Sequence, residues 1–161
     1  MSRLDSFIRR MKAQSDILNY VSADLALPPE GAILEVGLGN GRTFDHLRER
    51  FPGRRIVAFD RALVAHASSV PAPEDLILGE IDITAQAFAG QGAALVHADI
   101  GTGYADKDAV TLTWLPQLTS ALLAVGGIAV SGLPLEDSLL EPLPVPASVP
   151  ADRYFLYRKR A

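Results

Sequence analysis

Five short apolar runs divide the chain and set what it can fold into: Ile33–Val36, Arg55–Phe59, Leu76–Leu78, Ala94–His97 and Ile128–Ser131. Polar or glycine-bearing turns follow them, and the stretches between carry helical signals, notably Thr43–Arg50, Ile83–Phe88 and Ala109–Val125. A run that is apolar throughout, rather than at alternate positions, suits a strand buried on both faces. Strands of that kind alternating with helices predict an α/β fold, a doubly wound and mostly parallel sheet with helices on both faces. At 161 residues the chain has the length of a single domain. Its parts are expected to be an N-terminal helix within 1–28, a core over 30–131, and a proline-rich segment with a last strand over 132–161.

The two ends differ from this pattern. Leu4, Phe7, Ile8, Met11, Ile17, Leu18, Val21 and Leu25 recur near helical spacing and predict a helix over 2–26, ended by Pro28-Pro29. Arg9, Arg10 and Lys12 lie largely off that stripe. They read as a solvated face, with attraction of an anionic substrate as the sharper alternative. Near the other end, Pro134, Pro142, Pro144, Pro146 and Pro150 exclude a central strand over 134–150 and predict an extended loop or edge. A last strand over Arg153–Arg158 should turn Tyr154 and Leu156 to one side, Phe155 and Tyr157 to the other.

Composition removes several kinds of chemistry. The chain has no cysteine, which excludes disulfides, a thiolate nucleophile, iron–sulfur clusters and cysteine zinc sites. His46, His66 and His97 are too scattered for a metal-ligand pattern, so no metal is expected. A net charge of −4 gives no broad cationic field, so no nucleic-acid partner is expected. The charged N-terminus lacks the apolar core of a signal peptide, and the longest apolar stretch, Ala121–Val130, is too short to span a bilayer. A cytoplasmic location without membrane contact is the expectation.

The stretch that carries chemistry is Ile33-Leu-Glu35-Val-Gly37-Leu-Gly39-Asn-Gly41-Arg42-Thr43. An apolar strand runs into three alternate glycines, and a helix follows. Such a turn lets the backbone come close to a ligand at the carboxyl edge of a parallel sheet. The dinucleotide fingerprint G-x-G-x-x-G would place its third glycine at position 42, where the chain has Arg42. The P-loop ending of Lys followed by Ser or Thr is also missing.

This spacing, G-x-G-x-G with Glu35 two positions ahead, resembles motif I of the class I S-adenosylmethionine-dependent methyltransferases, which have a Rossmann-like fold. The resemblance implies S-adenosyl-L-methionine as cofactor, its methionine end wrapped by Gly37, Gly39 and Gly41. Glu35 would help hold the ammonium group through a water or a backbone contact, and Arg42 and Thr43 could meet the carboxylate. Ile56–Asp60 resembles the second strand of that family, whose closing acid takes the ribose hydroxyls; here that acid is Asp60. Gly79-Glu-Ile-Asp82-Ile83 supplies an acid for the adenine amino group and an apolar neighbour for the ring. Leu95-Val-His97-Ala-Asp99 resembles motif IV, whose acid lies near the transferred methyl group. The similarity spans roughly 30–131, and the short chain is also similar to a small bacterial family of single-domain methyltransferases.

The implied function is methyl transfer to an unidentified, small acceptor. His97 and Asp99 are the catalytic candidates, as a general base or, alternatively, as a hydrogen-bonded sheet histidine and a cofactor-orienting acid. Asp60 and Asp82 could equally serve as helix caps. No Asn-Pro-Pro-Tyr or Asp-Pro-Pro-Tyr follows the fourth strand, so methylation of nucleobase or glutamine amino groups gains no support. After the fifth strand the family usually has a helix and two strands, whereas here the tail is short. The far edge of the sheet is therefore expected to be incomplete or completed by a second subunit, with a homo-oligomer formed through the last strand. The rival functions are a non-catalytic S-adenosylmethionine-binding module, acting as sensor or partner subunit, and a nicotinamide-dependent oxidoreductase, against which Arg42 speaks.

Overall fold

The computed structural model describes all 161 residues. The first helix, α1 (Arg3–Asp24), opens on a capping box in which the Ser2 hydroxyl accepts from the Asp5 N–H and the Asp5 carboxylate accepts from the Ser2 N–H. Then come β1 (Ile33–Val36), α2 (Arg42–Arg50), β2 (Ile56–Asp60), β3 (Leu76–Leu78) and α3 (Ile81–Thr84), which runs on into a 3-10 turn over Ala85–Phe88. The chain continues through β4 (Ala93–Ala98), α4 (Ala105–Leu112), α5 (Leu115–Leu122), β5 (Leu123–Ser131), β6 (Leu140–Leu143) and β7 (Phe155–Lys159). All seven strands form one sheet in the order β3-β2-β1-β4-β5-β7-β6. The first five are parallel, and β7 runs antiparallel to both β5 and β6. This is the doubly wound, mostly parallel Rossmann-like sheet that the apolar runs predict.

Side-chain alternation along the buried strands builds two cores. Ile33, Ala58, Leu95, Ile128, Val130 and Leu156 face α1 and α2, where they meet Ile17, Leu18, Val21, Phe44 and Leu47. Leu34, Val36, Phe59, Val96, Ala129 and Tyr157 face the other way, against Ala85 and the apolar side of α5. Tyr154 and Leu156 join the first core and Tyr157 the second, as expected for that strand. Strand order reverses between β1 and its two neighbours, β2 and β4, which opens a crevice outside the carboxyl ends of these strands.

Two expectations need correction. The helical stretch 109–125 is two helices and the start of a strand, because Pro116 fits only the first turn of a helix and so forces a break at Thr113-Trp114. The far edge of the sheet is complete within the chain, and the tail lacks only the intervening helix. β7 is paired on both sides, so it offers no free edge for a second subunit. The outermost strand is β6, and it carries Pro142 where an edge strand tolerates the missing N–H. No helix is long and apolar enough to cross a membrane.

Candidate functional site

The Gly37–Gly41 loop leaves the carboxyl end of β1 and enters α2 at its first turn. Gly37 has φ of +92°, and a Cβ there would lie 2.4 Å from Ile100 Cγ2. Gly41, at φ +86°, caps α2, and a Cβ would sit 2.6–2.7 Å from Ser69. Both positions are thus closed to any side chain. Gly39 is different: nothing lies within 4 Å of its missing Cβ, so its backbone faces open space. Its N–H donates to Asp60 Oδ2 at 2.8 Å, which ties the loop to the end of β2. The other carboxylate oxygen of Asp60 accepts from the Arg61 N–H at 2.7 Å.

A cleft of about 280 Å³ lies beside this loop. It is lined by Gly37, Gly39, Arg42 and Thr43, by Asp99 and Arg153, and by Arg10 and Gln14 of α1. Asp82 and Ile83 stand apart from it, in the first turn of α3 beyond the end of β3, with Ile83 69% exposed. The carboxyl ends of β1 to β4 therefore gather Gly37, Asp60, Asp82 and Asp99 along one edge, in the order that the sequence implies, while only the loop and Asp99 share the cleft.

Glu35 does not reach the cleft with its side chain. It is the third residue of β1, lies directly across from His97 of β4, and both side chains are buried, at 0% and 1% exposure. Glu35 Oε1 pairs with His97 Nδ1 at 2.5 Å, and Glu35 Oε2 accepts from the Thr43 hydroxyl at 2.9 Å. Burial works against protonation of His97, but the charge and hydrogen bond of Glu35 outweigh it and raise the imidazole pKa above its ordinary value of 6.5. His97 Nε2 is buried without a partner. This histidine sits beneath the cleft, so the expectation that it takes a proton from an acceptor does not fit its burial.

Asp99 stands at the rim, 14% exposed. Its Oδ2 accepts from the Tyr154 hydroxyl at 2.6 Å and from Gln14 Nε2 at 3.0 Å, and Arg153 reaches both oxygens at 3.3–3.4 Å. Burial pushes this carboxyl up, yet the Tyr154 hydroxyl, the charge of His97 and Arg153 together hold its pKa below the usual value. Gly132 permits the packing, since a Cβ there would lie 2.7 Å from Asp99 Oδ1. Burial and the Asp99 charge push the Tyr154 phenol far up.

Gln14, Arg153 and Tyr154 were not singled out as site residues by sequence reasoning. Gln14 had a signal: it lies one turn before the buried Leu18, so a polar group stands on the core-facing side of α1. Arg153 and Tyr154 had none, because they reach Asp99 across more than fifty residues, through the pairing of β7 with β5.

A family model for S-adenosyl-L-methionine methyltransferases matches residues 1–159. The chain belongs to this family. Its cofactor is S-adenosyl-L-methionine, and this sets aside a nicotinamide-dependent oxidoreductase. The methyltransferase is 39% identical to an S-adenosyl-L-methionine methyl transferase from Silicibacter pomeroyi DSS-3, with 99% of each chain covered and a TM-score of 0.85. It shares its fold with the antibiotic-resistance methyltransferase Kmr at 13% identity, TM-score 0.53, covering 100% of this chain and 94% of that one. The same holds for human methyltransferase-like protein 13, solved with S-adenosylhomocysteine, at 15% identity, TM-score 0.55, 98% and 81% covered. No curated protein matches the methyltransferase significantly.

The residues present suit the cofactor. A loop closed to side chains at Gly37 and Gly41 but open at Gly39 offers backbone to a ligand, and the Asp60 carboxylate at its edge can accept two hydroxyl donors.

Proposed function

We propose that this methyltransferase holds S-adenosylmethionine across the carboxyl ends of β1 to β4 and transfers its methyl group to a small acceptor bound between α1 and Asp99. The Gly37–Gly41 backbone lies against the methionine end, the Arg42 guanidinium meets its carboxylate with Thr43 beside it, and Asp60 gives up Gly39 and Arg61 for the ribose hydroxyls. Asp82 and Ile83 take the adenine, as acceptor of the amino group and apolar neighbour of the ring. Glu35 acts through Thr43, which it holds by a buried hydrogen bond.

When bound, the cofactor supplies an electrophilic methyl group on a sulfonium that departs as a neutral thioether. The chain's own contribution is alignment. Asp99 serves as an orienting wall: Gln14, Arg153 and Tyr154 hold it as an anion, and such a carboxylate is a weak proton acceptor at neutral pH.

One observation carries the small-acceptor reading: Arg10 and Gln14 of α1 line, together with the loop and Asp99, a cleft of about 280 Å³. The test is to incubate the protein with methyl-labelled S-adenosylmethionine and an extract separated into small molecules, RNA and protein. Label in the small-molecule fraction is expected, and label confined to RNA or protein would contradict the reading.

A further inference from the structure

The cleft and an adjoining cavity of about 410 Å³ share two walls, Arg10 and Arg153. Cations dominate this region. Arg10 and Arg42 both stand over the ring of Phe7, at 5.5 and 5.8 Å from its centroid, so two guanidinium groups share one aromatic ring. Neither makes an ion pair, unlike Lys12, which is neutralised by Asp16 one turn on. Arg153 lines the cleft as well, shared with Asp99 through bonds of 3.3–3.4 Å, and its buried Nε has no partner. Three guanidiniums thus face a cleft whose one carboxylate, Asp99, is already held by Tyr154 and Gln14.

The cleft itself also lacks a proton acceptor suited to neutral pH. No histidine, lysine, tyrosine or terminal amine lines it. His97 is sealed beneath the sheet edge, and His46 lines the groove between α1 and α2, not the cleft. A neutral hydroxyl, or an amine still carrying its proton, would need such a base before or during attack. An acceptor whose nucleophilic atom is ionised before it arrives needs none.

We infer that the acceptor is a small carboxylic acid, held as its carboxylate by Arg10 and Arg153 and methylated on oxygen. The inference rests on the cofactor placement proposed above, which gives Arg42 to the cofactor and leaves Arg10 without an ion partner and Arg153 with N–H donors beyond the two it gives Asp99. A carboxylate has about four lone-pair sites, so one forked and one single donor can fix its plane and leave one lone pair toward the methyl carbon. That oxygen forms a bond to the methyl carbon as the carbon–sulfur bond breaks. The electron pair stays on sulfur, a methyl ester and S-adenosylhomocysteine result, and no proton moves.

The test uses the full chain, titrated with acetate and with acetamide as its neutral isostere, with and without S-adenosylhomocysteine, while the arginine Nε–H resonances are followed. Acetate should shift Arg10 and Arg153 saturably, acetamide should not, and Arg10→Gln should weaken acetate binding about tenfold or more. Acetate and acetamide acting alike, or Arg10→Gln binding acetate as the wild type does, would overturn the inference. A second readout is the chemistry of the product. Label passed from methyl-labelled S-adenosylmethionine to small molecules should be released as methanol by alkali, and alkali-stable label would also overturn it. Failure of S-adenosylhomocysteine to bind would count against the cofactor placement instead, and calorimetry on the same samples separates the two failures.

Discussion

Glu35 and His97 pair a carboxylate with an imidazole whose pKa is raised inside the sheet, and Thr43 completes the set. Removing one charge of such a pair leaves the other buried without compensation, at a cost of about 3–5 kcal/mol. Glu35→Ala should therefore lower folding stability by that order in urea denaturation, and a loss well under ~1 kcal/mol would contradict the pairing. The pH dependence has a definite sign. His97 has a folded pKa above 6.5, so its stabilising contribution is fully present below that value and is lost as pH rises through the folded value. The stability gap between wild type and Glu35→Gln should narrow as the pH is raised across that window, and a constant gap would mean that His97 is not charged. At this scale the sequence discloses residue types and local spacing. The loop glycines and Asp60 stand out because their contacts are set within one strand–turn–helix unit. The inward turn of Glu35 is hidden, because its partner becomes its neighbour only once β4 is placed beside β1.

The element that gives the site its shape is α1. Its second half is anchored by Ala13, Ile17, Leu18 and Val21, whereas Leu4, Phe7 and Ile8 of the same apolar stripe remain exposed. Periodicity reports that a helix has an apolar face, but not how much of that face finds a partner. Here the first half runs past the sheet and lines the cleft with Arg10 and Gln14. The start of α2 is constrained in the opposite way, by lack of room. Gly41→Ala would force a side chain into left-handed backbone and against Ser69, costing about 1–3 kcal/mol from the backbone alone. We expect it to lower both thermal stability and cofactor affinity. An unchanged melting temperature and unchanged affinity would show that the turn can relax. The break between α4 and α5 was legible in Pro116, which the apolar periodicity across 109–125 masks.

For the whole molecule, strand order is what makes a site from separate segments. It brings the loop after β1, Asp60 at the end of β2 and Asp99 after β4 to one edge, and the turn leading into β7 sets Arg153 and Tyr154 beside Asp99 from the other end of the chain. The parallel half of this arrangement follows from continuous apolar runs and intervening helices. In the antiparallel half the last strand is legible, whereas the four-residue strand containing Pro142 reads equally as an extended loop or an edge until its pairing with β7 decides for the edge. The central claim, that the loop and Asp60 together form an S-adenosylmethionine site, is tested most directly by calorimetric titration of wild type and Asp60→Ala, with NADH as the competing ligand. We predict saturable binding of S-adenosylmethionine and none of NADH, with Asp60→Ala weaker by about 1–3 kcal/mol, the scale of a carboxylate's lost hydrogen bonds. Equal affinity in a folded Asp60→Ala protein, or binding of NADH in place of S-adenosylmethionine, would contradict it.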